Sequence, residues 1–311
     1  MKEKIFNGII VLISLFVLFE LLIKKSIIYS SIMYALNMWV NSLIPSLFPF
    51  FIISDILINY NITNYIPKII KNLCKWLFNI NDNMLMIFIL SMISGFPSNA
   101  RNTRTLYDSE LINAEEANHI LIFTHFANPL FILTTIAVFF FHNEKTGILL
   151  LITHYLSNFM LGFFFRNKTN YHGLCDNKKK INNDFGNIFT NAIKKAVDTT
   201  LTICGIVVVF LMLASIIINT FDLNIYNQMI IKGIFEITIG IEALSKLSIS
   251  LRYKLVIASM ILAFGGISVH MQVLSQIVGT KIKYIYFFIG RMYQMIIAGM
   301  LTYIWCALMG I

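Results

Sequence analysis

The residues best suited to chemistry stand in two short glycine-led stretches, Ser94-Gly95-Phe96-Pro97-Ser98-Asn99 and Gly265-Gly266-Ile267-Ser268-Val269-His270. Each interrupts an uncharged apolar run. Glycine adopts dihedrals closed to other residues, and Pro97 has a fixed φ and no N–H, which suits the first turn of a new helix. Both stretches therefore read as points where one helix stops and another starts. A helix start carries unpaired backbone N–H groups and the positive end of the helix dipole. Two such starts inside one cavity would hold a carboxylate or another anion. Ser98, Asn99, Ser268 and His270 add side-chain donors, and Gln272 and Gln276 share a helix face one turn on.

Other polar groups sit within apolar runs: Asn128, Asn158, Gln294 and Arg291. Arg291 is a counter-charge for an anion if it faces the interior, and an interface-seeking side chain if it does not. The plainer role of Ser98, Asn99 and Ser268 is helix capping, that of His270 is packing, and that of the amides is helix-to-helix hydrogen bonding. Glu236 and Glu242 are candidates for coupling a proton or a cation. Arg101 and Arg104 are solvated groups or guides for an incoming anion. No HExxH zinc helix, GxSxG elbow or phosphate-cradling glycine loop is present, and His119 and His125 lack a carboxylate at ligand spacing, so no catalytic residue, cofactor or metal is expected. The coupling ion, Na+ or H+, stays open.

These groups must be positioned by a membrane-embedded scaffold. The 311 residues are 58% hydrophobic and only 13% charged, against about a quarter charged in a soluble domain. Lipid, not water, suits such a surface. The net charge of +9 comes from 24 Lys and Arg against 15 Asp and Glu. The basic residues cluster between apolar runs, as in loops held at an anionic cytoplasmic leaflet, and no nucleic-acid-binding motif accompanies them. Four scattered cysteines, Cys74, Cys175, Cys204 and Cys306, give neither a disulfide framework nor a zinc site.

Apolar runs predict six to eight crossings. They cover 5–23, 33–59 (broken near 42–50 by Pro45 and Pro49), a short 83–100, 118–143, 146–165, 199–221, a short 233–245, 255–280 and 284–311. Residues 1–165 form a first half, 166–198 a basic cytoplasmic linker and 199–311 a second half. A cytoplasmic N-terminus fits this charge pattern if 83–100 is re-entrant. The halves echo each other: a long span, a short run ending at a break, and a long span with a central amide (Asn128, Gln294). Placing Gly95 over Gly266 sets Pro97 over Ser268 and Asn99 over His270. The expectation is an all-α polytopic membrane protein with two inverted repeats containing discontinuous or re-entrant helices, as in secondary transporters.

Five stretches carry a family resemblance: SLIPSLFPFFIISDIL (42–57), SGFPSNA (94–100), THFANPLFIL (124–133), TICGIVVVF (202–210) and GGISVHMQVLS (265–275). Together they sample nearly the whole chain. With them the sequence resembles the YlbJ, or SpoVV, family of sporulation integral membrane proteins, whose nucleoside-recognition or Gate repeats are related to concentrative nucleoside transporters. One departure is Asn99-Ala100-Arg101, where relatives more often have Gly-Ala-Lys; residue 99 is bulkier and the basic group is kept. The chain is also short for the family. The resemblance implies movement of dipicolinate, a planar aromatic dianion, across the outer forespore membrane of an endospore former. Another small solute such as a nucleoside, or a non-transporting scaffold role, stays open. So do its partners beyond lipid: a homo-oligomer or other spore membrane proteins.

Overall fold

The computed structural model describes residues 2–166 and 184–310, and every regular element among them is helical. Lys168 and Lys178 to Lys180, the centre of the expected basic linker, lie outside the described residues. Five stretches are long and apolar enough to cross a membrane: Lys25–Asn59, Glu144–Phe164, Phe185–Thr220, Leu251–Ile277 and Tyr284–Leu308. A sixth results if the bent pair Lys68–Phe78 and Asp82–Ser94 is counted as one. The N-terminal helix α1 (Lys2–Ile23) carries a shorter apolar stretch, Asn7–Ile23. Large apolar side chains such as Leu12, Phe139, Leu201, Met300 and Ile304 point outward, a surface suited to lipid.

Helices α2 (Lys25–Met38) and α3 (Ile44–Asn59) form one long rod through a π-helical turn, Trp39–Leu43. Pro45 has no N–H for the helix ladder, and widening the preceding turn accommodates the loss. This rod packs along α9 (Phe185–Thr220). Because α9 begins at Phe185, residues 185–198 of the expected linker are its opening turns.

Helix α4 (Lys68–Phe78) meets α5 (Asp82–Ser94) at 94°. The chain then turns at Gly95-Phe96-Pro97, and α6 (Ser98–Asp108) runs back beside α5. The return is fixed at its open end, where Asn83 Nδ2 donates to Leu111 O at 2.8 Å and Asn81 Nδ2 to Glu116 Oε1 at 2.5 Å. Thus 83–100 is the first arm and tip of a helical hairpin that turns back on itself at Gly95.

The expected span 118–143 is broken. Helix α7 (Ala114–Phe123) opens with an Asn113–Glu116 capping box and ends before Thr124; a π-helical stretch, Phe131–Phe140, carries the chain onward. Helix α8 (Glu144–Phe164) returns. Phe78, Phe88, Phe123, Phe126 and Phe159 pack this half together, with ring centroids 5.1 to 6.2 Å apart.

The second half repeats this order. Helices α10 (Ile225–Phe235) and α11 (Ile237–Ser245) form a second hairpin with its tip at Glu236. Helices α12 (Leu251–Phe264) and α13 (Gly266–Ile277) make one broken span, and α14 (Tyr284–Leu308) closes the chain. The two glycine-led stretches play different parts. Gly95 stands where the chain reverses, whereas Gly265 and Gly266 interrupt a span that continues.

Candidate functional site

The two breaks meet. His125 occupies the interruption after α7, and a Cβ added at Gly265 would lie 3.2 Å from His125 Nε2. Gly265 has φ of +93°, the left-handed region, so it both turns the chain and admits the imidazole. Arg291 on α14 spans both interruptions. It donates to Ile122 O at 2.9 Å and, at 3.5 Å each, to His125 O and Ala263 O; it also bonds Gln294 Oε1, and its guanidinium lies over the Phe287 ring. These carbonyls belong to helix ends that have lost their in-helix partners, so a fully buried cation at their negative end is favourable. Gln294 Nε2 continues to His154 O and Ser157 Oγ, both at 3.2 Å. His154 Nε2 accepts from Ala127 N at 3.0 Å, and Asn158 Nδ2 donates to His125 O at 2.8 Å. The non-helical backbone between α7 and the π-helix is thus paired by side chains from α8 and α14, as irregular backbone at membrane depth must be.

The hairpin tips meet on the other side of the breaks. A narrow cavity of about 30 Å³, room for a water-sized occupant, lies between Phe96 of the first tip and Glu236, Ile237 and Thr238 of the second. Ser46, Asn128, Val269 and Gln272 share its wall with the apolar side chains of Leu43, Leu47, Phe131, Ile203 and Val207. Asn128 fixes the first tip: a Cβ at Gly95 would be 2.5 Å from Asn128 N, and Asn128 Nδ2 donates to Ser46 O at 2.9 Å. Phe96 stacks on His125 with centroids 4.8 Å apart, joining the tip to the crossing of the breaks. Helices α6 and α13 run side by side in the same direction. Phe96 and Val269 share the cavity, and farther along Arg104 Nη1 donates to Gln276 O at 3.2 Å and Val278 O at 2.8 Å. Their starts are therefore neighbours.

The residues singled out from sequence fall into different states. Asn128 and Gln272 line the cavity. Gly95 and Pro97 shape the tip, and Gly266 starts α13. Ser98 is engaged, with its hydroxyl bonded to Ser94 and accepting from Asn102 Nδ2 at 3.2 Å. Asn99 and Ser268 are fully buried, and neither the amide of the one nor the hydroxyl of the other has a protein partner. His270 is held by Tyr284 Oη at 2.6 Å and Phe264 O at 2.9 Å. Arg291 and Gln294 bond to the breaks, not the cavity. Arg101 pairs with Asp55 at 2.5 Å, with both side chains buried, and ties α6 to α3. His125, His154, Asp55 and the cavity role of Glu236 were not singled out from sequence as parts of a site. Among the described residues no group of three or more His, Cys, Asp or Glu side chains is placed to hold a metal.

Hairpins whose tips meet at a cavity beside two interrupted spans define a helical membrane protein of transporter-like build. Residues 40–144, from the π-turn before α3 to the start of α8, match the Gate family, described as nucleoside recognition. The sporulation integral membrane protein YlbJ of Bacillus subtilis (strain 168) is 30% identical, with 83% of this chain and 72% of that protein covered. The chain belongs to the YlbJ family of sporulation integral membrane proteins. No solved structure matches it.

Proposed function

We propose that this protein is a carrier and that its solute passes through the cavity between the two hairpin tips. The observation that carries this reading is the shared cavity itself. Each half contributes a re-entrant tip and an interrupted span, and all four reach one place. The order hairpin, broken span, whole span occurs twice, which supports a pair of inverted repeats moving against each other. The cavity admits only a water-sized occupant as it stands, so a solute requires the tips to part. The solute we favour is dipicolinate, carried across the outer forespore membrane. Support comes from membership of a sporulation membrane family and from the adjacent starts of α6 and α13, whose N–H groups suit carboxylates. The unpartnered Asn99 amide and Ser268 hydroxyl beside those starts fit the same ligand.

A nucleoside is the second reading. It is favoured by the Gate match and by a specific feature of the wall: the ionisable group on the cavity is a carboxylate, while Arg101 and Arg291 are bonded elsewhere. Purified protein in liposomes, with labelled dipicolinate and labelled nucleosides offered in parallel, separates the two. Protein-dependent dipicolinate flux that nucleosides do not compete away supports the first. Nucleoside flux alone supports the second. No flux of either under any ion gradient overturns both and leaves a scaffold role.

A further inference from the structure

One buried side chain at the centre caps a helix and yet carries an ionisable group that capping does not call for. Glu236 is 4% exposed, sits at the tip of the second hairpin and faces the cavity. Its two oxygens accept from Thr238 Oγ1 at 3.2 Å and Ile239 N at 3.1 Å, the backbone N–H groups of Ile237 and Thr238 also turn toward it, and it forms no ion pair among the described residues. Capping α11 does not by itself require it, since shorter Asp, Asn, Ser or Thr side chains are the usual N-caps. An ionisable group at membrane depth without a counter-charge marks an ion pathway more often than a fold-stabilising contact.

No surrounding cation pairs with Glu236 among the described residues. On the elements packed against this hairpin, α2 brings Tyr34, whose hydroxyl bonds Glu242. α9 brings Cys204 and Lys195, the latter within electrostatic reach of Asp55. α12 brings Lys254, which donates to Ser245 O, and α13 brings His270, already bonded on both ring nitrogens. The π-helix Phe131–Phe140 brings no titratable group. On the hairpin itself Lys246 pairs with Glu242, and Lys232 lies within electrostatic reach of the same carboxylate. An anion entering the cavity would meet a carboxylate that has hydrogen-bond donors but no paired cation to offset its charge.

We infer that Glu236 is the proton-binding site of this carrier: it takes up one proton as an anionic solute binds and releases it as the solute leaves. The proton adds to a carboxylate oxygen, no other bond changes, and one negative charge is removed from the cavity per solute. Lowering the pH on one side would then drive the solute from that side. This inference rests on the carrier reading above. It adds the coupling ion, which that reading leaves open.

The test uses the full chain in lipid nanodiscs. In the first arm, without solute, infrared difference spectra across a pH titration look for the band of a protonated carboxylic acid. A band present in the wild type and absent in Glu236→Gln supports the site; a spectrum that the substitution leaves unchanged overturns it. Gln keeps the oxygen that accepts from Ile239 N, so the cap is preserved. In the second arm, dipicolinate is added in weak buffer with a pH indicator. The expected result is uptake of about one proton per dipicolinate bound, and affinity falling about tenfold per pH unit on the alkaline side. Glu236→Gln should bind without uptake and without pH dependence. Thr238→Val, which removes a donor to the charged form, should move the transition to higher pH. Binding with no proton uptake in the wild type overturns the inference. Absence of dipicolinate binding with the first-arm band intact leaves the proton site standing and instead removes dipicolinate as the solute.

Discussion

Gly240 rests on the backbone of Gly233 across the second hairpin: a Cβ added at Gly240 would lie 2.3 Å from Gly233 Cα and 2.7 Å from Gly233 N. The two residues stand at nearly equal distance from the Glu236 tip, and their closeness lets α10 and α11 lie flush, so that the tip reaches the cavity.

Gly240→Ala should therefore separate the two arms, because backbone cannot move aside as a flexible side chain can. Overpacking of this kind costs about 1–3 kcal/mol. A lowered unfolding temperature in detergent, with Gly205→Ala as the control, checks it; nothing lies within 4 Å of a Cβ at Gly205.

The Arg101–Asp55 pair should behave as a buried latch between the first hairpin and α3. Asp55→Asn leaves the Arg101 guanidinium buried without its counter-ion, and breaking such a pair costs about 3–5 kcal/mol. In a cycle of Asp55→Leu, Arg101→Leu and the double variant, replacing both residues should cost less than the sum of the single changes. Thermal unfolding of the four proteins in this cycle measures the coupling.

Arg291 should matter for the fold more than for solute charge. Lysine keeps the charge but cannot reach Ile122 O and the Ala263 side of the crossing from one planar group. Arg291→Lys should lower stability while leaving solute affinity, measured on the folded fraction, within about threefold, a difference of well under 1.4 kcal/mol. A large loss of affinity with unchanged stability would instead place Arg291 at the solute.

Two neighbours on α6 should respond differently. Ser98 already has partners in Ser94 and Asn102, whereas the Asn99 amide has none. Asn99→Ala should weaken dipicolinate binding by the worth of a charge-assisted hydrogen bond, about 1.5–3 kcal/mol. Ser98→Ala should weaken it by less than half as much. Calorimetric titration of both variants compares them directly.

Much of this architecture is legible in the sequence. Composition and apolar runs give the membrane class, and the glycine–proline punctuation at 94–99 and 265–266 gives the interruptions. What cannot be read is which interruption reverses the chain. Reversal at Gly95 depends on contacts far away in sequence, such as Asn83 with Leu111, so local residues alone do not reveal it. The second hairpin hides for a related reason. Its arms are too short to register as spans, and its only local signal is the spacing of Gly233 and Gly240 about Glu236. His125 looks like an isolated histidine until the fold places it against Gly265 and Phe96. The sequence leaves Arg291 open between an interior and an interface position; its carbonyl partners, which decide the matter, lie on other helices.

The central claim is that solute passes between the two hairpin tips, and locking those tips together tests it most directly. In a background with Cys74, Cys175, Cys204 and Cys306 replaced, Phe96→Cys and Ile237→Cys place one thiol on each tip at the same cavity. Joining them with a short cleavable cross-linker in proteoliposomes should abolish dipicolinate flux, and cleaving the linker should restore it. Flux that continues undiminished through fully cross-linked protein would contradict the account.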